Sequence, residues 1–334
     1  MRILFPILSR SGRTGALYTD EVMIRALERK HEVKVISYDE LFPVNGDLSL
    51  LLFGYMPMFL KPAYDLVITS GSYIFADLVY AQPPAGRDVV LPLKDNILLS
   101  ENSSRYLAPL FSTLNLLIKN HSRFIANSKW GAYVVKRSFG KDAKVLYPPV
   151  PVHLYDWRRK ERDNLVVTIA GLNPRKNLEI IPDICERVPD AHFILIGYYH
   201  EKYSYILDEI KRRLEEKGMG DRFTYIPTAS VEEKKEYLER AKVYFHPTPY
   251  EPFGISIVEG MASGLIPVVH DSGGPKEYVP DEWRYKDVEE ASRKIRKALS
   301  SWNLEVASDM AEIASDFGEE VFEERVLEIV EKYS

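Results

Sequence analysis

Two glutamates with seven residues between them stand in the second half of the chain. Glu251 lies among prolines, and Glu259 lies among apolar and small residues in 257-IVEGMASG-264. A glutamate on a helix most often faces solvent, but a charged side chain in apolar surroundings rarely lacks a partner. Carboxylates accept hydrogen bonds from hydroxyl groups, so both residues are candidates for binding a sugar or a ribose.

The prolines around Glu251 exclude regular structure there, and a helix should begin close to Ile255. Its N-terminus falls near Phe253 and Gly254, where unpaired N–H groups and the positive dipole end favour a phosphate. Glycine at this point lets the backbone approach a ligand. Glu259, about one turn further in, is placed to accept from a ribose diol. This order of groups fits a nucleotide sugar, with its ribose at Glu259 and its sugar at Glu251.

Two adjacent cations, Arg175 and Lys176, occur in 171-GLNPRKNLE-179, between a predicted strand and a predicted helix. The helix dipole disfavours cations at a helix start. A bound anion such as a diphosphate would explain them, and the alternative is a pair of solvated side chains.

The stretch 251-EPFGISIVEGMASGLIPVVHDSGGPKEYV-279 resembles the C-terminal signature of glycosyltransferase family 4, retaining enzymes of the GT-B fold. The spacing of the two glutamates, the Phe-Gly pair and the trailing Gly-Gly all match. The resemblance implies that Glu259 binds the donor ribose. It implies that Glu251 and the amides of Phe253, Gly254 and Ile255 hold the donor sugar and the diphosphate.

The segment around Lys176 resembles the phosphate loop of the same family. Lys176 matches the lysine that grips the diphosphate. The usual arginine five positions earlier is missing, because Gly171 occupies that place, and Arg175 is the candidate replacement.

Two N-terminal segments resemble further family positions. The segment 9-SRSGRTGA-16, through Gly12 and Gly15, resembles the glycine loop that approaches the donor phosphates or the acceptor, although a plain tight turn would explain it equally well.

In 80-YAQPPAG-86, Gln82 replaces the histidine that the family often has in its active-site cleft. A glutamine can hydrogen-bond a sugar hydroxyl but cannot relay a proton near neutral pH. The alternative is a loop glutamine with no role.

Short apolar strands alternate with helical patterns along the chain, which is typical of parallel α/β sheets. The predicted strands are Arg2–Leu8, Glu32–Ser37, Asp65–Thr69, Phe124–Ala126, Lys144–Tyr147, Leu165–Ala170, His192–Ile196, Arg222–Ile226, Val243–His246 and Ile266–Val269. The predicted helices are Ala16–Arg29, Leu178–Val188, Tyr203–Glu216, Val231–Arg240, Ile255–Ser263, Asp287–Ser300 and Asn303–Tyr333, the last broken near Gly318.

The periodicity stops at 147-YPPVPVHLYDWRRKERDN-164, a proline-rich and charged stretch typical of a linker. The predicted fold class is α/β, with two Rossmann-like domains facing a cleft, as in the GT-B fold. We expect an acceptor-side domain over residues 1–150 and a nucleotide-sugar-binding domain over residues 151–310. Residues 311–334 should form a C-terminal helix that, by resemblance, crosses back to the first domain.

The chain of 334 residues has a net charge of −5 and a single cysteine. This charge gives no reason to expect a nucleic-acid partner, and one cysteine allows no internal disulfide. The histidines show no metal spacing and the chain has no Asp-x-Asp pair, so we expect neither a metal nor another cofactor. The apolar run 48-LSLLLFGYMPMFL-60 is shorter than the roughly 20 residues of a bilayer span. It is either buried core or a surface that dips into a membrane.

These interpretations predict a retaining, metal-independent glycosyltransferase that moves a hexose from GDP-mannose or a UDP-hexose to a glycan or a lipid-linked acceptor. The segments 145-VLYPPV-150 and 270-HDSGGP-275 lean towards mannosyltransferases that extend dolichol-linked oligosaccharides. That lean favours GDP-mannose and a cytoplasmic protein that contacts the cytoplasmic membrane face. The alternatives are a sugar-nucleotide-binding protein that has lost catalysis, to which Gln82 and Gly171 point, and another GT-B activity such as an epimerase.

Overall fold

The computed structural model describes residues 1–9, 14–42, 46–70, 74–86, 104–199 and 201–333, without the side chains of residues 104–106. The described residues divide into two compact units. The first contains residues 1–84, 104–149 and 319–333, and the second contains residues 85–86, 150–199 and 201–318. The chain therefore changes unit at residue 150, where we placed a domain boundary, and again at residue 319, eight residues after the predicted start of the last segment.

The first unit is built on a parallel sheet of six strands in the order β2-β1-β3-β4-β5-β6. The strands are β1 (Arg2–Ile7), β2 (Glu32–Ser37), β3 (Leu66–Thr69), β4 (Leu78–Ala81), β5 (Arg123–Ala126) and β6 (Ala143–Val145). The helices between them are α1 (Gly15–Glu28), α2 (Tyr38–Leu41), α3 (Asp47–Leu60), α4 (Ser104–His121) and α5 (Lys129–Phe139).

The central strands of this sheet are apolar on both faces. In β1, Ile3 and Phe5 belong to one hydrophobic cluster, and Leu4, between them, belongs to another on the opposite face. Successive side chains of a strand point to opposite faces, so a run of consecutive apolar residues produces a strand covered by helices on both sides. This arrangement is that of a Rossmann-like domain.

The second unit is built on another parallel sheet, in the order β12-β11-β10-β7-β8-β9. Its strands are β7 (Leu165–Ile169), β8 (His192–Gly197), β9 (Phe223–Pro227), β10 (Val243–His246), β11 (Ile266–His270) and β12 (Arg284–Tyr285). Its helices are α6 (Ile181–Arg187), α7 (Ser204–Glu216), α8 (Val231–Arg240), α9 (Ile255–Ala262), α10 (Val288–Ser301) and α11 (Leu304–Ser315). The predicted α/β class with two Rossmann-like domains is confirmed.

The last helix, α12 (Glu319–Glu331), packs in the first unit and not in the second. Phe322, Val326 and Val330 join the cluster that contains Ile3 and Phe5 of β1. Its acidic side chains pair with bases of α1, and the buried Glu323 lies 2.7 Å from the Arg29 guanidinium and 3.1 Å from that of Arg25.

Most predicted elements are present with ends shifted by one or two residues, but some are not. Strands β4 and β12 and helices α2 and α4 were not among the predicted elements. The helix predicted from Leu178 begins instead at Ile181, after a 3₁₀ turn, with Pro182 in its first turn, where a missing N–H costs no hydrogen bond. The break at Gly318 lies between α11 and α12, as predicted.

The apolar run 48–60 forms α3, although Gly54 and Pro57 lie inside it. Leu50, Leu51 and Phe53 of this helix are buried in the first unit. Leu48, Leu52 and Phe59 follow a helical spacing on the other face and are more than half exposed. The run therefore supplies both core and an exposed apolar stripe. Among the described helices, none is long and apolar enough to cross a membrane.

Candidate active site at the carboxyl edge of the second sheet

The second sheet reverses its strand order at β7 and β10, which are neighbours in the sheet but distant in sequence. The chain continues from β7 to β8 and β9 on one side, and from β10 to β11 and β12 on the other. Loops that leave the carboxyl ends of strands at such a reversal diverge, and ligands of open α/β sheets bind in the crevice between them. The loop after β7 contains Arg175 and Lys176, and the loop after β10 contains Glu251.

Lys176 and Glu251 form an ion pair across this crevice, with Lys176 Nζ 2.8 Å from Glu251 Oε2. The same carboxylate oxygen lies 3.1 Å from Nε2 of His246, the last residue of β10, whose side chain is only 3% exposed. Two of the predicted site residues are thus in direct contact. A third group, His246, joins them without having been predicted.

The environment keeps Glu251 ionised. Burial by itself would raise the pKa of this carboxyl, but Lys176 and His246 hold it well below its usual range. Burial lowers the pKa of His246, although the nearby Glu251 carboxylate raises it. At neutral pH the pair is therefore a carboxylate and a neutral imidazole. Because an ionised carboxylate can only accept, Nε2 of His246 must be the protonated nitrogen.

The trailing Gly-Gly of the motif holds the loop that contains Glu251. The Gly274 N–H donates to the Glu251 carbonyl at 2.8 Å. A Cβ on Gly274 would lie 1.9 Å from the carbonyl oxygen of Pro252, and one on Gly273 would lie 2.3 Å from that of Glu251. Gly273 also has a φ of +72°. Only glycines allow the two backbones to come this close, so the Gly-Gly pair sets the position of Glu251.

Helix α9 begins beside this loop with its N-terminus at the crevice. Gly254 is its N-cap residue with a φ of +91°, and Ile255 is its first residue. Phe253 is buried against Tyr278 and Phe317, with ring centroids 5.3 and 5.2 Å away. The Tyr278 hydroxyl donates to the Phe253 carbonyl. This packing fixes the first turn of α9, where the sequence predicts an anion site at the free amides and the positive dipole end.

Glu259, in the second turn of α9, is 7% exposed. Its Oε1 accepts a hydrogen bond from Lys234 Nζ of α8 at 2.6 Å. This burial excludes a solvated helix glutamate. Each of the two glutamates of the motif is therefore paired with one lysine from a different element.

The cations after β7 occupy a 3₁₀ turn, Pro174–Lys176, and not the first turn of a helix. Our argument from the helix dipole is therefore wrong for Arg175 and Lys176, because α6 begins five residues after Lys176. Arg175 is exposed, and its guanidinium has no partner among the described residues. A Cβ on Gly171 would meet nothing closer than the Tyr198 carbonyl oxygen at 3.8 Å, so this position has room for a side chain.

The N-terminal candidates lie in the first unit. Gly15 is the first residue of α1, next to the N-cap Thr14, and Gly12 lies outside the described residues. Gln82 directly follows β4 at the carboxyl edge of the first sheet. Its Nε2 is buried and has no hydrogen-bond partner within the described ranges. An unpaired buried amide costs free energy unless a ligand or water takes it.

Comparison with known proteins identifies the family of the second unit. Residues 154–317 match the family model described as glycosyl transferases group 1. The second unit belongs to this family. The matched segment includes Lys176, Lys234, His246, Glu251 and Glu259.

Curated relatives share part of their length with this chain. A GDP-Man:Man(3)GlcNAc(2)-PP-Dol alpha-1,2-mannosyltransferase from Neurospora crassa is 32% identical over 212 residues, which are 56% of this chain and 38% of that protein. The Dictyostelium discoideum protein of the same name is 25% identical over 253 residues, 66% of this chain and 49% of that protein. The chain thus aligns with less than half of the length of either relative.

Solved structures share the fold of the whole chain. HepE from Anabaena in complex with UDP has a TM-score of 0.74 and 17% identity, covering 99% of this chain and 100% of its own. Sucrose-phosphate synthase from Thermosynechococcus elongatus also has a TM-score of 0.74, with 15% identity over 99% of this chain and 98% of its own. At these identities the likeness establishes the GT-B fold and not an activity.

In this group 1 glycosyltransferase unit, sequence reasoning missed His246 and Lys234. His246 ends a predicted strand, and its position just before the Glu251 loop was a signal that it lies at the carboxyl edge. Lys234 lies in 232-EEKKEYLER-240, where nothing in the sequence separates it from Lys235. No group of three or more His, Cys, Asp or Glu side chains within the described ranges is arranged to hold a metal ion.

Proposed function

We propose that the protein is a retaining glycosyltransferase that moves mannose from GDP-mannose to a lipid-linked glycan without a metal ion. The observation that supports this most directly is the placement of Lys176, Glu251 and Glu259 around the N-terminus of α9. The diphosphate would lie at the amides of Gly254 and Ile255, with the ribose towards Glu259 and the hexose towards Glu251. The names of the Neurospora and Dictyostelium relatives support mannose and a dolichol-linked acceptor.

Lys176, Arg175 and the α9 amides would stabilise the departing diphosphate, and fixed donors of this kind need no reorganisation during the reaction. The bond between C1 of the hexose and the diphosphate oxygen breaks as the acceptor oxygen bonds to C1 on the same face. The acceptor proton passes to the departing diphosphate. Glu251 would hold the hexose hydroxyls as an ionised acceptor of hydrogen bonds. The free amide of Gln82 would donate to an acceptor hydroxyl.

The experiment is release of nucleoside diphosphate by the purified chain from GDP-mannose, UDP-glucose and UDP-N-acetylglucosamine, with and without dolichol-linked oligosaccharides, in excess EDTA. We expect release from GDP-mannose that rises with the lipid acceptor, and an α-linked product by NMR. A β-linked product would contradict retention, and loss of release in EDTA would contradict metal independence. Release from a UDP-sugar and not from GDP-mannose would show that the donor is that UDP-sugar.

A protein that binds sugar nucleotides but has lost catalysis is the second candidate, since Gly171 and Gln82 depart from the family pattern. Nucleotide binding by calorimetry without release from any donor, in the presence of acceptor, would favour it. An epimerase would interconvert donors with no acceptor present.

A lipid-linked acceptor would bring the chain to the cytoplasmic face of a membrane, and we propose that the exposed stripe of α3 contacts it. Leu48, Leu52 and Phe59 lie within about 40° of one another around the helix, at 100° per residue. Flotation with phospholipid vesicles tests the contact. Leu52→Ser with Phe59→Ser should reduce co-flotation, while Tyr205→Ser, an exposed aromatic of α7, should not.

A further inference from the structure

Among the described residues, one charged side chain pairs with the buried carboxylate of Glu259. Lys234 Nζ lies 2.6 Å from Glu259 Oε1. Lys234 stands in the first turn of α8, where Ser230 and Glu233 form a reciprocal capping box and the Lys234 N–H donates to the Ser230 carbonyl. A capped first turn is rigid, so the ammonium group reaches Glu259 from a fixed backbone.

The neighbouring Lys235 shows that the lysines of α8 do not all point towards Glu259. Lys235 pairs at 3.5 Å with Glu239 of its own helix, and its side chain is 41% exposed, against 21% for Lys234. The Lys234 ammonium also lies 5.8 Å from the centroid of the Tyr155 ring, a cation–π distance. Holding a lysine in this way costs side-chain entropy, and surface ion pairs such as that of Lys235 contribute little.

We propose that Lys234 is a positioning residue for ribose recognition. By occupying Oε1 it fixes the rotation of the Glu259 carboxylate, and the second oxygen, Oε2, is then held in one direction for the ribose hydroxyls. This inference rests on the proposed function, because it assumes that Glu259 binds the ribose of the donor.

A purely structural pair between α8 and α9 would affect stability but not the choice between nucleotides. The test therefore measures the ratio of dissociation constants for GDP and 2′,3′-dideoxy-GDP, and for UDP and 2′,3′-dideoxy-UDP, by calorimetry. We consider the nucleotide, GDP or UDP, that the wild type binds more tightly. Its dideoxy form lacks the ribose hydroxyls that would bond to a charged group, so it should bind the wild type about 10-fold or more weakly. Lys234→Met should bring this ratio below about 3-fold, and Lys234→Arg should restore most of it.

Lys235→Met is the matched control, since it removes the adjacent ammonium from the same helix and should leave the wild-type ratio. Thermal unfolding establishes that each variant is folded. A Lys234→Met protein that discriminates as the wild type does would overturn the inference and leave the proposed function standing. A wild type that binds both forms of the nucleotide equally would overturn the inference and the assignment of the ribose to Glu259, while transfer of a hexose from the donor would remain open to the release assay. A wild type that binds neither GDP nor UDP would overturn the proposed function itself.

Discussion

Lys176 and Glu251 lie on the loops of two neighbouring strands, β7 and β10, and meet with Nζ 2.8 Å from Oε2. This contact satisfies a buried carboxylate and holds the ammonium group beside the loop that leads into α9. The pair thus joins two functions that the proposal assigns to separate parts of a donor, the diphosphate and the sugar.

Replacing Lys176 with Met should weaken binding of the donor's nucleoside diphosphate by about 10- to 100-fold, because a charged hydrogen bond to phosphate is lost. Donor turnover should fall at least as much. Calorimetry and diphosphate release measure the two effects. Lys160→Met, which changes an exposed lysine of the linker, is the control. Unchanged affinity in Lys176→Met would remove this lysine from the donor site.

Glu259→Ala should also weaken nucleotide binding strongly, since both the ribose acceptor and the partner of Lys234 are lost. The measurement is again calorimetry with GDP and UDP. Glu236→Ala, an exposed glutamate of α8, should bind as the wild type does. Near-normal affinity of Glu259→Ala would refute its assignment to the ribose.

Gly171→Arg should fold normally and bind the nucleoside diphosphate more tightly, by about 3- to 10-fold at low salt. The position has room for a Cβ and no positive φ, and the new guanidinium would stand on the same loop as Lys176. The gain should shrink as salt is raised, because screening weakens exposed charges. A variant with wild-type stability and no gain in affinity would show that residue 171 lies away from the phosphates.

Gly274→Ala should lower the melting temperature by about 3–10 °C, which corresponds to about 1–3 kcal/mol of overpacking. The added Cβ would overlap the Pro252 carbonyl and displace the loop that positions Glu251. Donor turnover should fall together with stability. In the control Gly220→Ala, the Cβ makes only ordinary contact, 3.5 Å from Glu215, so a similar loss there would contradict the steric explanation.

Asp20 of α1 should make the stability of the first unit depend on pH. Burial raises the pKa of its carboxyl to about 7. A hydrogen bond with Ser70 lowers this pKa, and the negative charge of Glu21 raises it further. Between about pH 4 and pH 7 the folded state keeps a proton that the unfolded state releases, so this group makes stability fall as pH rises.

Asp20→Asn removes that dependence. We expect a melting temperature about 3–8 °C above wild type at pH 8 and close to wild type at pH 4. Glu28→Gln, an exposed glutamate of the same helix, is the control. An equal shift at both pH values would show that the effect is not titration of Asp20.

Local sequence signals predicted most of the two sheets, because consecutive apolar residues in short segments specify strands covered on both faces. They also predicted the start of α9, because the prolines before Gly254 exclude regular structure there. The same signals missed β4, whose four residues, Leu78–Ala81, are all buried and show no alternation of polar and apolar side chains. They misplaced the start of α6, since Leu178–Ile180, which carries the apolar pattern of a helix, forms a 3₁₀ turn before it.

The sequence alone determined the α/β class and the motif from Glu251 to the Gly-Gly pair, and it made Lys176 a candidate site residue, because these depend on residue type and local spacing. Only the tertiary structure decided that His246 and Lys234 complete the site. His246 becomes a partner of Glu251 because the loop that follows β10 brings Glu251 back to the last residue of the strand. Lys234 is chosen over Lys235 because α8 packs with one side towards Glu259, and the direction of a side chain on a packed helix is set by the neighbouring elements.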